Sequence, residues 1–348
     1  MRSSAILLTM LCGISLAQNA TQRIQNQINA TPKGGTLVIP AGTYDINCSL
    51  KLLSDRHYIG QPGTVLRTRG GFIFATPHNN SHDITISGFT LDGGGISLDG
   101  TEPADRITIT GNTIQNIHTV SDNWTIQNGI FIPGGLKNGR IDHNSFINII
   151  VGPVFPDEST KGGGITAYGL DHTSITYNTF HRVVEGMHIT FSQSFPSSAV
   201  IISNNKGTQI HRIPIEIQAG NNTGLTVANN TFSDFLVPYY GTFGLSIVPD
   251  GATGVSITGN TVLGPPPPAD PRAHYGMGLE VSGVGTVVTN NRIEGDWHPG
   301  IGIGTGPGAI VTSNIACGSE AGKAIHTYLT PAPKNVTIRD NIQVLKCP

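Results

Sequence analysis

The 348-residue sequence has little charge, only 12% Asp, Glu, Lys and Arg, with 20 basic against 22 acidic residues and no polybasic stripe. Neutralising a phosphate backbone takes clustered Lys and Arg, so nucleic acid is excluded as a partner. Long apolar runs are missing beyond the N-terminus. None approaches the roughly 18 residues needed to cross a bilayer, so no membrane span is expected. The four cysteines, Cys12, Cys48, Cys317 and Cys347, do not have metal-knuckle spacing. No Cys-His cluster with recognisable ligand spacing is present, so neither a metal nor a cofactor is implied. Helical periodicity is scarce too, and GIGIGTGPG at Gly300 lies among strand and turn signals with no helix to follow. A dinucleotide site is therefore not expected.

What is abundant is glycine, 45 residues, among short Val, Ile and Thr-rich runs. That composition reads as many short strands joined by turns. At the N-terminus, Arg2 precedes an apolar run from Ala5 to Leu11 that ends in Ser15-Leu16-Ala17. This is the layout of a signal peptide, 1–17, leaving a mature chain 18–348 that is secreted, extracellular or periplasmic. An oxidising destination permits Cys317 to pair with Cys347, with Cys48 left free or buried.

One segment recurs: ITITGNTI at Ile107, RIDHNSF at Arg140, SITYNTF at Ser174, VIISNNKG at Val200, LTVANNTF at Leu225, VSITGNTV at Val255, TVVTNNRI at Thr286, AIVTSNIA at Ala309 and VTIRDNI at Val336. Alignment puts Asn112, Asn144, Asn178, Asn205, Asn230, Asn260, Asn291, Asn314 and Asn341 in one column, spaced 23 to 34 residues apart. A period of that size, with two-residue alternation and no helix, suits one three-strand turn of a solenoid. Stacked asparagines bonding each other and the backbone at a bend explain the column better than a ligand does. The expectation is one all-β domain, a parallel β-helix of about ten turns, with residues of about 18–60 forming an N-terminal cap and first turn.

A second strand family alternates with the first: GIFI at Gly129, GITA at Gly164, GMHI at Gly186, PIEI at Pro214, GLSI at Gly244, GLEV at Gly278, GIGI at Gly300 and AIHT at Ala324. Its apolar residues two apart face inward, so the residue between faces outward. That outward row reads Phe131, Thr166, His188, Glu216, Ser246, Glu280, Gly302, His326. Adjacent turns bring its members within about 4.8 Å.

GGTLVIPAGTYDI at Gly34, HYIGQPGTVLR at His57 and ITISGFTLDG at Ile84, followed by these repeats over nearly the whole mature chain, resemble the pectate lyase superfamily. The resemblance implies a right-handed parallel β-helix behind an N-terminal cap. It also implies a polysaccharide or oligosaccharide partner held in a groove along the outward row. It does not settle the activity, because one fold of this kind carries many. The Asn-Thr-Asp, paired Asp and Gly-His-Gly pattern of polygalacturonases is missing here. So are the Asp cluster of calcium-dependent pectate lyases and the Asp-Pro-His-Glu of alginate epimerases.

The chemistry then rests on Glu216 and Glu280, two turns apart, with His188 beside them. Two carboxyls facing one groove supply the acid and the anion that glycoside hydrolysis needs, and about 9.6 Å between their backbones leans toward inversion. Glu185, at the groove edge, is the reserve acid. Isolated glutamates on a sheet surface also serve merely to solvate it; their shared column favours the catalytic reading. Arg182, His211, Arg212, Tyr239, Tyr240, His274, Tyr275, Trp297 and His298 are expected to line the groove, aromatic faces against sugar rings and Arg against anionic groups. Insertions at Ile150 to Gly163 and Gly264 to Gly276 would raise its walls. With Arg182, Arg212 and His188 as alternative chemistry, a lyase is the second reading and a noncatalytic carbohydrate-binding solenoid the third. Either way the protein is expected to act as a monomer.

Overall fold

The computed structural model describes residues 19–77, 79–119, 128–151, 163–190, 195, 197–218, 220, 222–236, 242–249, 251–264, 276–318, 322–328, 332–345 and 347. The expected signal peptide and most of both insertions lie outside these residues. The described chain opens with one helix, α1 (Ala20–Ala30), which Asn19 caps by accepting a hydrogen bond from the Gln22 amide. Thr21, Ile24 and Ile28 are its buried side. Among the described residues no helix is long and apolar enough to cross a membrane.

Among the described residues, the chain after α1 is a parallel β-helix. Most coils contribute one strand to each of three long sheets, and every described strand pair is parallel to the coil before and after. The first and second sheets run through twelve successive coils and the third through eleven. The expectation of about ten turns came from the asparagine column, which begins only at Asn112; the earliest coils have no asparagine at that bend.

The register explains the sequence period. Ile86, Ile109, Ile141, Ile175, Ile202, Val227, Ile257, Val288 and Val311 pair coil upon coil in the first sheet and are fully buried. In the second sheet Phe146 and Phe180 stack face to face, centroids 4.9 Å apart. Entry to the third sheet is tight: a Cβ at Gly164 would lie 2.7 Å from the Gly186 carbonyl oxygen and 2.6 Å from the Phe180 ring. Glycine opens most of the third-sheet segments because the backbone of the next coil occupies the space a side chain would take.

The asparagines form the ladder that the repeat implied. Each after Asn112 accepts, at Oδ1, the backbone N–H of the asparagine one coil earlier, from Asn112 onto Asn144 at 3.0 Å to Asn314 onto Asn341 at 2.9 Å; Asn112 itself accepts from the Phe89 N–H at 3.1 Å. Each Nδ2 in turn bonds a first-sheet carbonyl, as Asn205 does to Ile175 at 2.9 Å. The residue before the asparagine has a left-handed backbone throughout, for example Tyr177, Asn204 and Asn229 at φ 56°, 58° and 55°. That conformation turns the chain sharply and leaves backbone groups that only the asparagine amide satisfies.

Asn205→Ala would strand the Asn178 N–H and remove one partner each from Asn178 Nδ2 and the Ile175 carbonyl in a fully buried site. A loss of about 3 kcal/mol is expected from these lost and weakened buried bonds. The same change at Asn341, which is half-buried in the last coil, is expected to cost about 1 kcal/mol. Urea unfolding of both variants checks this, and equal losses would refute the ladder's buried role.

Cys317 and Cys347 are disulfide-bonded, Cα atoms 5.5 Å apart, and tie the last coil to the preceding ones. Cys48, expected to be free or buried, is disulfide-bonded as well, so the free reading is corrected.

Candidate active site

The third sheet brings the outward row together in the expected order. Thr166 pairs with His188, His188 with Glu216, Glu216 with Ser246, Ser246 with Glu280, Glu280 with Gly302 and Gly302 with His326. The row faces away from the core yet is more sheltered than a bare sheet surface. Glu216 is only 3% exposed.

Glu216 belongs to a buried ionic cluster. His188 Nδ1 lies 2.9 Å from Glu216 Oε2 and 3.2 Å from Glu185 Oε2. Arg212 Nη1 bonds Glu216 Oε2 at 3.0 Å and also bonds Glu185. Gln218 Nε2 donates to the other Glu216 oxygen, Oε1. Coil geometry assembles the set: Glu185 and Ile213 are register partners at the entry to adjacent third-sheet strands, which puts Arg212 against Glu185. A Cβ at Gly186 would collide with the Pro214 carbonyl, so the two coils close over the Glu185 carboxyl.

Burial works against each charge, and the neighbours decide the outcome. Glu216 would be raised by desolvation, but hydrogen bonding from His188 and the Arg212 charge lower it to about 2. For His188 desolvation lowers the pKa, and the two carboxylates overcome this and raise it to about 10. Arg212 is held further in its charged form by Glu185 and Glu216 against its own desolvation. Glu185, enclosed completely, is raised, burial being the main cause. His211, beside this cluster, is lowered to about 4 by burial and then by the Arg182 charge.

Two coils on from Glu216 the character changes. Glu280, half-buried, accepts hydrogen bonds from Ser246 Oγ at 2.7 Å on Oε2 and from the Tyr328 hydroxyl at 3.0 Å on Oε1. Tyr328 reaches it by lying across Gly304, where a Cβ would collide with its hydroxyl. Between Glu216 and Glu280 is an open depression of about 350 Å³, with Gln218 and Ser246 adding polar groups and Phe243 and Val248 an apolar wall.

Several expectations need correction. Glu185 is not at the groove edge; it is 0% exposed beneath the row and offers no surface to a substrate. Arg212 is not a free cation for an anionic sugar, since both carboxylates of the cluster hold it. Trp297 is fully buried, its Nε1 donating to the Glu294 carbonyl at 3.1 Å and its ring set edge-on to Phe235; it is core, not groove wall. Arg182 and His298 are exposed, and His211 is half-buried. Tyr239, Tyr240, His274 and Tyr275 lie outside the described residues. Gln218, Phe243 and Tyr328 went unrecognised. Gln218 and Tyr328 each follow a row member by two positions, so strand alternation places them on the same face.

Glu185, His188 and Glu216 carry metal-ligating atoms that lie within 4.8 Å of one another. Arg212 already occupies the two carboxylates there, and the set does not fit an additional cation.

The sequence matches no protein-family model and no curated protein. Solved structures do match. The tailspike of Escherichia coli bacteriophage HK620, in complex with a pentasaccharide, is similar at a TM-score of 0.62 and 14% identity, over 93% of this chain and 61% of that one. The surface adhesin PfbA of Streptococcus pneumoniae is similar at 0.60 and 14% identity, over 93% of both chains. An endo-xylogalacturonan hydrolase from Aspergillus tubingensis is similar at 0.51 and 12% identity, over 95% of this chain and 91% of that one. Likeness at such identities is likeness of fold, and in fold the resemblance to the pectate lyase superfamily is borne out: the chain is a right-handed parallel β-helix.

Proposed function

We propose that the protein is a secreted, monomeric carbohydrate-active enzyme, a glycoside hydrolase that cleaves a polysaccharide or oligosaccharide in the depression between Glu216 and Glu280. The observation that carries this reading is that two glutamates of one row, two coils apart, border one 350 Å³ depression in sharply different surroundings. A backbone separation of roughly 9.6 Å suits the wider carboxyl spacing of inverting enzymes.

The roles follow from the neighbours. Glu216, lowered to about 2, stays ionised and is a weak base. Its part is to stabilise the positive character that develops on the sugar ring and to orient the attacking water, whose proton it takes up as the water oxygen bonds the anomeric carbon and Glu280 protonates the leaving oxygen. Glu280 is the proton donor. Both of its partners are hydroxyls, which donate to a carboxylate and accept from a carboxylic acid. Glu280 is therefore accommodated in either state, as a group that cycles its proton must be. His188 positions Glu216, and the apolar Phe243 offers a face for a sugar ring.

The comparisons support a glycan as the partner: one structural neighbour is in complex with a pentasaccharide and another is a xylogalacturonan hydrolase. A disulfide between Cys317 and Cys347 supports an oxidising, exported location. A lyase needs free positive charge to stabilise an enolate beside a uronate carboxylate. Here Arg212 and His188 are already neutralised by Glu185 and Glu216, and that favours hydrolysis.

The test is incubation with a panel of neutral and uronic-acid polysaccharides, following reducing ends and the ultraviolet absorbance of unsaturated products. Reducing ends without absorbance are expected. Absorbance would transfer the reading to a lyase, and binding without turnover on any glycan would make the solenoid a noncatalytic carbohydrate binder.

A further inference from the structure

The left-handed position before each ladder asparagine is filled, coil after coil, by residues that tolerate it: Gly111, Asn204, Asn229, Gly259, Asn290, Ser313 and Asp340. Two adjacent coils place aromatic rings there instead, His143 at φ 55° and Tyr177 at φ 56°, and of the two it is tyrosine that the region does not favour. A bulky side chain in this region is strained, and such strain concentrates where a function retains it. The two rings stack, centroids 5.1 Å apart and 14° between planes. They do not serve the core: the His143 side chain is 62% exposed and Tyr177 is 54% exposed.

Their surroundings are shaped for a ligand. One coil before His143, a Cβ on Gly111 would meet nothing within 4 Å, so the shelf beside the His143 ring is open. Asp142 braces the stack, its Oδ2 lying 3.2 Å from His143 Nδ1 and 3.4 Å from Arg140 Nε. Asp142 is only 7% exposed, and its Oδ1 is buried with no hydrogen-bond partner. An unmet acceptor of that kind marks a place for a water or a ligand hydroxyl. The ledge sits at the bend between the first and second sheets, on a different part of the coil from the third-sheet depression.

We infer that His143 and Tyr177 form a second glycan-binding ledge, taking a neutral pyranose ring against their aromatic surface with Asp142 and Arg140 as polar partners. Aromatic faces stack on the C–H face of a sugar, while a carboxylate and a guanidinium read its hydroxyls. The ledge would hold a polymer on the solenoid while the groove acts elsewhere along it. It rests on its own geometry and does not require the groove to be catalytic.

Affinity electrophoresis tests it, with β-glucan, xyloglucan and galactomannan cast in the gel and polygalacturonate as the acidic control. Retardation of the wild type by at least one neutral polymer is expected, with binding weakened about tenfold or more in Tyr177→Gly and in His143→Ala. Because glycine relieves the left-handed strain, the Tm of Tyr177→Gly is expected to be equal or higher, an outcome that a purely structural tyrosine would not give. Unchanged retardation in Tyr177→Gly, a lowered Tm with binding intact, or no retardation of the wild type by any neutral polymer would each overturn the proposal.

Discussion

Glu216→Gln is expected to lower the stability of the protein by about 3 kcal/mol at neutral pH, whatever it does to activity. Glu216 is 3% exposed and opposes two cations, His188 and Arg212. Removing one partner of a buried ion pair leaves the other desolvated and unpaired, at a cost of about 3–5 kcal/mol; the remaining Glu185 carboxyl and the amide's own hydrogen bonds justify the lower end.

The pH dependence carries the same signature. His188 is raised from 6.5 to about 10, so its contribution is complete below pH 6.5 and is lost as pH rises toward 10. Glu216 is lowered from 4.5 to about 2, so its contribution is complete above 4.5 and is lost as pH falls toward 2. His211, lowered from 6.5 to about 4, destabilises the fold progressively as pH falls from 6.5 to 4, because the unfolded chain takes up the proton first. Glu185 is raised by burial, so its own term weakens stability as pH rises through its titration. The cations and His211 together place the maximum near pH 6.5. In Glu216→Gln the alkaline limb is expected to flatten, since His188 loses one of the two carboxylates that raise it. Thermal unfolding across pH 4 to 10 measures this. A loss under about 1 kcal/mol with an unchanged alkaline limb would mean the four side chains do not act as one cluster.

The sequence and the structure agree most closely where one residue type repeats at one place. The asparagine column predicted both the coil and its bend because Asn donates and accepts through one amide, which makes a ladder possible and leaves a periodic trace. The third-sheet row was equally legible, because strand alternation assigns a face without any knowledge of the next coil. What alternation does not contain is depth. Glu185 and Glu216 are equally polar in sequence, yet Glu185 sits where one coil bends into the next strand and is enclosed by its neighbours' backbones. Arg212 is a similar case: an arginine beside a groove looks available until the partner carboxylates from two coils are known. Trp297 stands in a segment that reads as loop, but its indole fills space against Phe235 and above glycines that leave room for it. Tyr328 was legible in part by its spacing from His326. Its reach to Glu280, 48 residues away in the chain, depends on the bare backbone at Gly304.

That reach gives the second large effect. Glu280→Gln is expected to reduce kcat by about 10³-fold with little change in unfolding, as removal of a general acid does when the side chain is not holding the fold. Glu280 is half-buried and its described hydrogen-bond partners are two neutral hydroxyls, so the amide leaves no buried charge unpaired. This is the reverse of Glu216, where loss of charge is expected to disturb stability as well as activity. Tyr328→Phe separates the acid from its positioning: removing one hydrogen bond to Glu280, of about 1.5 kcal/mol, is expected to lower kcat about tenfold, leave KM nearly unchanged and displace the pH profile of kcat. The measurement is kcat and KM against pH for both variants on whichever glycan yields reducing ends. A Glu280→Gln protein that folds normally and retains more than about a tenth of wild-type kcat cannot have lost its proton donor, and the acid would then have to be sought outside the pair that borders the depression.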